Sequence, residues 1–344
     1  MQIATDIGGK RMRLIPRRAA LKAASSVAAA ALISRRGEAA TWKPNGTVRL
    51  IVPAAPGGLT DTMGRLFAPH LQAAWGQSVI VDNRAGGGGT VGTLDYIRQP
   101  PDGLQILIGN PGPNAIAYSI FRNLQYRPDQ LVPVSNLIRV PGIVSAHPST
   151  GIRSIPDLVA AIKQKPDTLT YGTSGVGQSP HLTAAWFLQL IGQKIPHVPF
   201  RGAGPALIGA LRGEPPILFD NLHPSLPQIQ DGKLNGLAVT STDRSDLAPD
   251  LPTMAESMPA LLRGFDVSSW FCVFYNQGTS PDAVAELSAQ CRAFLAKEDV
   301  KAKIAAFGAT PDYRPPEQFR TFVEAEIQKF AGIIGREGLQ MDVN

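Results

Sequence analysis

Four short apolar runs along the chain each lead into a glycine-rich loop and then into a helical pattern of apolar residues. The first run, Val48–Val52, passes through a Pro-Gly-Gly turn into a helix with Met63, Phe67 and Leu71 on one face. The other runs cover 78–81, 169–171 and 197–200, and they lead into loops at 83–89, 172–177 and 201–204. Alternating strands and helices predict an α/β architecture with largely parallel sheets. Ligands of such sheets bind beyond the carboxyl ends of the strands, where these four loops lie.

Proline and glycine set the expected limits of two helices. After the loop at 201–204, Pro205 occupies the first helical turn, 206–212 continue the helix and Gly213 ends it. Pro69 lies inside the first helical pattern, where it is expected to kink the helix or to end it early.

The first 40 residues have the pattern of a signal peptide. They carry eight Lys or Arg and two Asp or Glu, which accounts for the whole net charge of +6. A basic segment with Arg17-Arg18 precedes an Ala-rich apolar run, and small residues follow at 37–40, so 1–40 is predicted to be a removable, twin-arginine-like signal. The alternative is a disordered basic tail on a cytosolic protein. The remainder has no net charge, which argues against a nucleic-acid-binding surface.

The remainder of the chain is typical of a globular protein. Hydrophobic residues make up 44% and charged residues 17% of the 344 residues, which excludes a disordered chain. No later apolar run reaches the roughly 18 residues that a membrane span needs, so a soluble exported protein is expected. Two cysteines exclude a disulfide scaffold, and Cys272 and Cys291 are expected to be buried free thiols, although export permits a bond between them.

Motifs for catalysis, metals and nucleotides are weak or missing. The segment 87–92 matches GxGxxG, but no acidic residue follows at the distance at which a dinucleotide site needs one. There is no phosphate-binding loop and no GxSxG nucleophile motif, and the five histidines lack metal-ligand spacing. The sequence therefore predicts no catalytic residue, no metal and no cofactor, and the chain is not expected to be an enzyme.

Anion capture by main-chain groups is the chemistry that remains. The first N–H groups of a helix have no partner within the helix, and the helix dipole adds about half a positive charge there. Glycines let a ligand approach these groups closely, and neighbouring hydroxyls add donors. The alternative for each loop is structural, with glycines forming tight turns and hydroxyls capping helices.

Ordered motifs over residues 47–340 resemble one family. They include Pro56-Gly57-Gly58-Leu59-Thr60-Asp61, Asp82-Asn83-Arg84 with the following glycines, Gly175-Val176-Gly177-Gln178-Ser179 with His181, His197-Val198-Pro199-Phe200-Arg201-Gly202 and Phe219-Asp220-Asn221. The chain is similar to the tripartite tricarboxylate transporter receptors, also called the Bordetella uptake gene family of periplasmic binding proteins. Gly88 stands where Ala is frequent in that family, Thr90 where Asn is usual, and Trp186 is expected in the core.

The resemblance implies a type II-like periplasmic-binding-protein fold, with two mostly parallel α/β domains joined by crossing strands near 137–146 and 267–275. Domain 1 would comprise 41–142 plus 268–344 and domain 2 would comprise 143–267, with the ligand in the cleft between them. The implied ligand-binding residues are Gly57, Gly58, Thr60, Asp61, Gly88, Gly89, Thr90, Ser174, Gly177, Gln178, Ser179, His181, Arg201, Gly202 and Asp220. For Asp220 the alternative is strand-end capping.

The function implied is that of a monomeric exported receptor. It would capture a small carboxylate, namely a di- or tricarboxylate, an amino acid or a related organic acid. Closure of a hinge would bury the ligand, and a membrane permease would then take it up. The alternatives are a receptor that presents its ligand to a sensor kinase and an exported enzyme that uses Asp220 with His181.

Overall fold

A computed structural model describes residues 42–165 and 168–342. The predicted signal peptide and its cleavage site lie outside the described residues. Within the described part, none of the helices combines the length and the apolar character needed to cross a membrane. Both cysteines are buried and free, as predicted.

Ten strands form a single mixed sheet in the described part of the chain. Their order is β2-β1-β3-β9-β4-β7-β5-β6, and β8 and β10 also pair with β4. The strands are β1 (Val48–Val52), β2 (Val79–Asn83), β3 (Gln105–Gly109), β4 (Leu131–Ala146), β5 (Tyr171–Thr173), β6 (His197–Pro199), β7 (Ile217–Asn221), β8 (Asn235–Val239), β9 (Ser268–Asn276) and β10 (Thr310–Pro311).

Two groups of parallel strands lie at the two ends of this sheet. In the first, β1 pairs in parallel with β2 and β3, and in the second, β5 pairs in parallel with β6 and β7. Both β1 and β3 are rich in buried aliphatic residues, as expected for strands covered by helices on both faces. The carboxyl ends of the strands in each group point in one direction, which brings their loops together.

The long strands β4 and β9 connect the two groups. They run antiparallel to one another, and β9 also pairs antiparallel with β3. The last residues of β4, from Gly142 onward, pair instead with β7 and β8. These are the two predicted crossing strands, although β4 begins at Leu131, six residues before the predicted start. Every residue of β9 is buried.

Helices cover the sheet, and two of them differ from the expected limits. The first continues through Pro69 to Trp75, so of the two expected effects of Pro69 an early end of the helix does not occur. The helix expected after Arg201 begins at Ala203, ahead of Pro205. The helices are α1 (Leu59–Trp75), α2 (Thr90–Ile97), α3 (Ala117–Ile120), α4 (Ile155–Gln164), α5 (Ser179–Leu190), α6 (Ala203–Leu211), α7 (Leu222–Gln230), α8 (Met254–Ser257), α9 (Pro281–Leu295), α10 (Glu298–Ala306) and α11 (Pro316–Glu337).

Aromatic packing confirms the core position expected for one tryptophan. The half-buried Trp186 of α5 stacks on Phe265 with ring centroids 4.6 Å apart and an interplanar angle of 17°. It also packs against the large hydrophobic core. This contact joins α5 to the chain segment that enters β9.

Candidate functional site

The turn between β1 and α1 contains main-chain donors that have no partner in the described part of the chain. Gly57 has a φ of +89°, and Gly58, the N-cap residue, is extended and provides no side-chain cap. The first intrahelical bond is made by the N–H of Thr62 to the Gly58 carbonyl. The N–H groups of Leu59 and Thr60 therefore precede the hydrogen-bonded ladder of the helix, and they can bind an anion.

Asp61 holds this turn in place. Its Oδ2 accepts hydrogen bonds from the Gly57 N–H and from Arg65 Nε, each at 2.9 Å, and its Oδ1 accepts one from Asn83 Nδ2 at 3.0 Å. Burial raises the pKa of Asp61, but the hydrogen bonds from Arg65, Gly57 and Asn83 together outweigh it, so the pKa is lowered. Both carboxylate oxygens have partners within the chain. Its direct contact with a ligand stays a prediction.

Four consecutive glycines with positive φ, Gly86 to Gly89, form the turn between β2 and α2. Gly88 is exposed, whereas a Cβ on Gly89 would lie only 3.0 Å from Pro113 Cγ. The Thr90 hydroxyl donates to the Gly87 carbonyl at 2.8 Å, so it stabilises the turn. Tight packing thus fixes Gly89, whereas Gly86 and Gly88 are exposed to solvent.

The turn between β5 and α5 has the same construction as the first turn. Gly177 has a φ of +74°, and Gln178, the N-cap residue, is extended without a side-chain cap. Ser179 is the first residue of the helix and is buried. His181 Nδ1 accepts the N–H of Gly177 at 3.3 Å. Burial, with the neighbouring ring of His197, lowers the pKa of His181 to about 3, so its ring is neutral at pH 7.

The loop after β6 contributes a cation. Arg201 is exposed and forms no ion pair with any residue in the described part of the chain. The N–H of Gly202 donates to the Ser174 carbonyl at 3.1 Å, which ties this loop to the one after β5. Helix α6 begins at Ala203, directly after Gly202. Its first N–H groups therefore follow Arg201 closely in the sequence.

The loops of the two parallel groups meet. Gln178 Nε2 donates to the Gly88 carbonyl at 3.2 Å, which joins the loop after β5 to the loop after β2. A Cβ on Gly112 would lie 2.8 Å from the same Gln178 nitrogen. The start of α5 therefore faces the loops after β2 and β3, and the remaining predicted contacts across the cleft stay a prediction.

A third loop of the first group, after β3, was missed by the sequence analysis. Asn110 Nδ2 donates to Thr60 Oγ1 at 3.3 Å, and its Oδ1 accepts the Gly112 N–H at 3.0 Å. Asn114 Nδ2 is buried and has no hydrogen-bond partner among the described residues. The Asn-Pro-Gly sequence after a buried strand signalled a loop, but only the pairing of β3 with β1 shows that it lies beside Thr60.

Asp220 lies at the carboxyl end of β7 and is buried. Its Oδ1 accepts the Asn221 N–H at 2.8 Å, and its Oδ2 accepts from Ser225 Oγ at 3.4 Å. Burial raises the pKa of Asp220 to about 7 despite these two bonds. Both contacts lie at the start of α7, in agreement with the alternative of strand-end capping.

Two further features of the described residues bear on the site. No group of three or more His, Cys, Asp or Glu side chains in that part of the chain is arranged to hold a metal ion. A groove of about 760 Å³ is found elsewhere, and none of the predicted ligand residues lines it. Its lining comprises Arg65, Ala68, Pro69, Gln72, Ala73, Val79, Ile80 and Val81.

Comparison with known proteins agrees with this geometry. Residues 63–339 match the tripartite tricarboxylate transporter family receptor. Protein BugT of Bordetella pertussis is 35% identical over 301 residues, which cover 87% of this chain and 91% of BugT. The solved structure of R. palustris Rpa4515 with adipate is 33% identical, has a TM-score of 0.79 and aligns over 86% of this chain and 98% of its own.

The solved structure of MatC from Rhodopseudomonas palustris with bound malate is also similar. It is 28% identical with a TM-score of 0.76, and the alignment covers 85% of this chain and 99% of MatC. The fold class and the family resemblance predicted from the sequence are thus confirmed. The chain belongs to the tripartite tricarboxylate transporter receptors, a family of periplasmic solute-binding proteins.

Proposed function

We propose that this chain is an exported receptor that holds a small dicarboxylate between the facing loops of its two parallel strand groups. The hydrogen bond from Gln178 to the Gly88 carbonyl is the observation that carries the proposal, because it places the uncapped start of α5 against a loop of the strand group that also carries the uncapped start of α1. Domain 1 would comprise 41–142 plus 268–344, and domain 2 would comprise 143–267. The change of partner along β4 at Gly142 supports this boundary.

The donors at the two helix starts suit carboxylates. Each hydrogen bond from a main-chain N–H to a charged group is worth about 1.5–3 kcal/mol. Leu59 and Thr60 on α1 and Ser179 on α5 supply such groups, and the exposed Arg201 supplies a cation. Three or four such bonds offset much of the roughly 4–15 kcal/mol that association costs.

The relatives support this class of ligand. Adipate and malate, which are bound in the two solved structures, each carry two carboxylate groups. The present chain has donors on both sides of its cleft, so one carboxylate would bind at α1 and the other on the side of α5 and Arg201. The distance between these two groups of donors then determines which dicarboxylate this chain binds.

The receptor would close around the acid by rotation about β4 and β9, and the closed form would be recognised by a membrane permease. A sensor kinase is the second candidate partner, since a receptor for either partner needs the same cleft. We expect no turnover of the ligand, because Asp220 and His181 are both occupied by contacts within the chain.

Two measurements test the proposal. Native mass spectrometry of protein purified without refolding should detect a retained organic acid. Calorimetric titration with adipate, malate, succinate, citrate and glutamate should then give saturable binding to at least one of them, without turnover. Simple amines and sugars of similar size serve as controls. If every carboxylate fails to bind while one of the controls binds, the proposal is wrong.

A further inference from the structure

The two facing turns share one capping arrangement. In each, a glycine with positive φ precedes an extended N-cap residue, and the third residue of the helix accepts the N–H of that glycine. Asp61 Oδ2 accepts the Gly57 N–H, and His181 Nδ1 accepts the Gly177 N–H. The capping-box position of a helix start is thus used on both sides of the cleft to fix a binding turn.

The two acceptors differ in charge. Asp61 is a carboxylate whose charge is balanced by Arg65 at 2.9 Å. Helix α5 has no acidic residue in its first turn, and His181 supplies a neutral nitrogen in place of a carboxylate oxygen. A negative charge at this position would partly cancel the positive charge at the start of the helix. That positive charge is what attracts a bound anion.

Aromatic stacking holds the His181 ring in its orientation. It lies 4.6 Å from the His197 ring at an interplanar angle of 12°, and His197 in turn lies 4.8 Å from the Tyr171 ring, also at 12°. His197 Nε2 is 2.7 Å from Thr173 Oγ1, which also accepts the Gly175 N–H. This stack of three rings therefore supports the loop after β5 at two points, the N–H of Gly177 and the N–H of Gly175.

We propose that His181 is a positioning residue whose neutral Nδ1 fixes the Gly177 turn, so that the start of α5 faces the ligand with its dipole undiminished. It acts through the turn and makes no direct contact with the acid. This inference rests on the proposed function and assigns a role to one residue of that site.

Three substitutions of His181 distinguish the contributions of its hydrogen-bond acceptor, its lack of charge and its ring. Asn keeps an acceptor two bonds beyond Cβ, where the histidine has Nδ1. Asp keeps the acceptor and adds a charge, and Phe keeps a ring that can stack on His197 but has no acceptor. The affinity of each variant for the tightest-binding acid of the panel is measured by calorimetry at pH 8, beside its melting temperature.

The expected results follow from these roles. H181N binds within about threefold of the unmodified protein, because the hydrogen bond is retained. H181F binds roughly tenfold or more weakly, since the turn must then be ordered on binding. H181D binds about tenfold or more weakly than H181N, because its charge repels the acid across a partly buried site.

Opposite results overturn the inference. H181F binding as tightly as the unmodified protein, or H181N as weakly as H181F, would refute the role of the acceptor. Equal affinities of H181D and H181N would refute the role of neutrality. If the unmodified protein binds none of the acids, the proposed function itself fails, which is a distinct outcome.

A spectroscopic measurement does not depend on the folding of any variant. Long-range proton–nitrogen correlation spectra of the unmodified protein at pH 7 should show His181 as the tautomer that is protonated at Nε2, with an unprotonated Nδ1. A proton on Nδ1 would refute the proposal.

Discussion

Replacement of Leu59 by proline removes one main-chain donor from the start of α1 without disturbing the helix. Leu59 is the first helical residue, a position that proline favours because its N–H has no partner within the helix. Gly58 already has the extended conformation that a residue before proline adopts, with φ −81° and ψ 168°. The matched control is L59A, which removes the same side chain but keeps the N–H.

The expected loss follows from a single hydrogen bond. A bond from this N–H to a carboxylate is worth about 1.5–3 kcal/mol, so L59P should bind the acid about 10- to 150-fold more weakly than L59A. The free energies of unfolding of the two variants should agree within about 1 kcal/mol, since proline at a compatible position restricts the unfolded chain and breaks no native bond.

Calorimetric titration with the tightest-binding dicarboxylate gives both affinities, and thermal unfolding gives both stabilities. Equal affinities of L59P and L59A, at equal stabilities, would refute the role assigned to the main-chain donors of α1. A loss of affinity in L59A of the same size would instead assign the effect to the leucine side chain.

Three other predictions concern the turns and the buried carboxyl groups. The pKa of Asp61 is lowered in the folded protein, so D61N should be less stable than the unmodified protein above about pH 4, and thermal unfolding should show this difference vanish as the pH falls further. The pKa of Asp220 is raised to about 7, so D220N should gain stability relative to the unmodified protein as the pH rises from about 4 to about 7, and an unchanged difference in urea unfolding would contradict this. G89A should lower the melting temperature more than G57A, because both have positive φ but only the Cβ at position 89 lacks space.

The local construction of the site could be predicted from the sequence. Glycine-rich turns between apolar strands and helices are recognisable without a structure, since both periodicity and glycine are local signals. The turns at Gly57 and Gly177 lie where these signals placed them. The family motifs added the expectation that they face the same cleft. The contact of Gln178 with Gly88 joins the second turn to the loop after β2, and its position opposite the Gly57 turn stays a prediction.

Contacts between distant strands could not be predicted in the same way. Asn110 reaches Thr60 only because β3 pairs with β1, and strand pairing is not encoded in a local pattern. Similarly, His181 stacks on His197 only because β6 pairs with β5, which precedes α5. Pro69 does not end α1 early, because it lies on the exposed face of the helix together with Arg65, whose carbonyl loses its helical partner there.

A crystal structure of the protein with the tightest-binding dicarboxylate tests the central claim most directly. We predict one carboxylate with its oxygens about 3 Å from the N–H groups of Leu59 or Thr60, a hydrogen-bond distance, and the acid enclosed opposite the start of α5. An acid bound elsewhere, for example in the groove along α1 and β2, or held in the cleft without main-chain donors, would contradict the account.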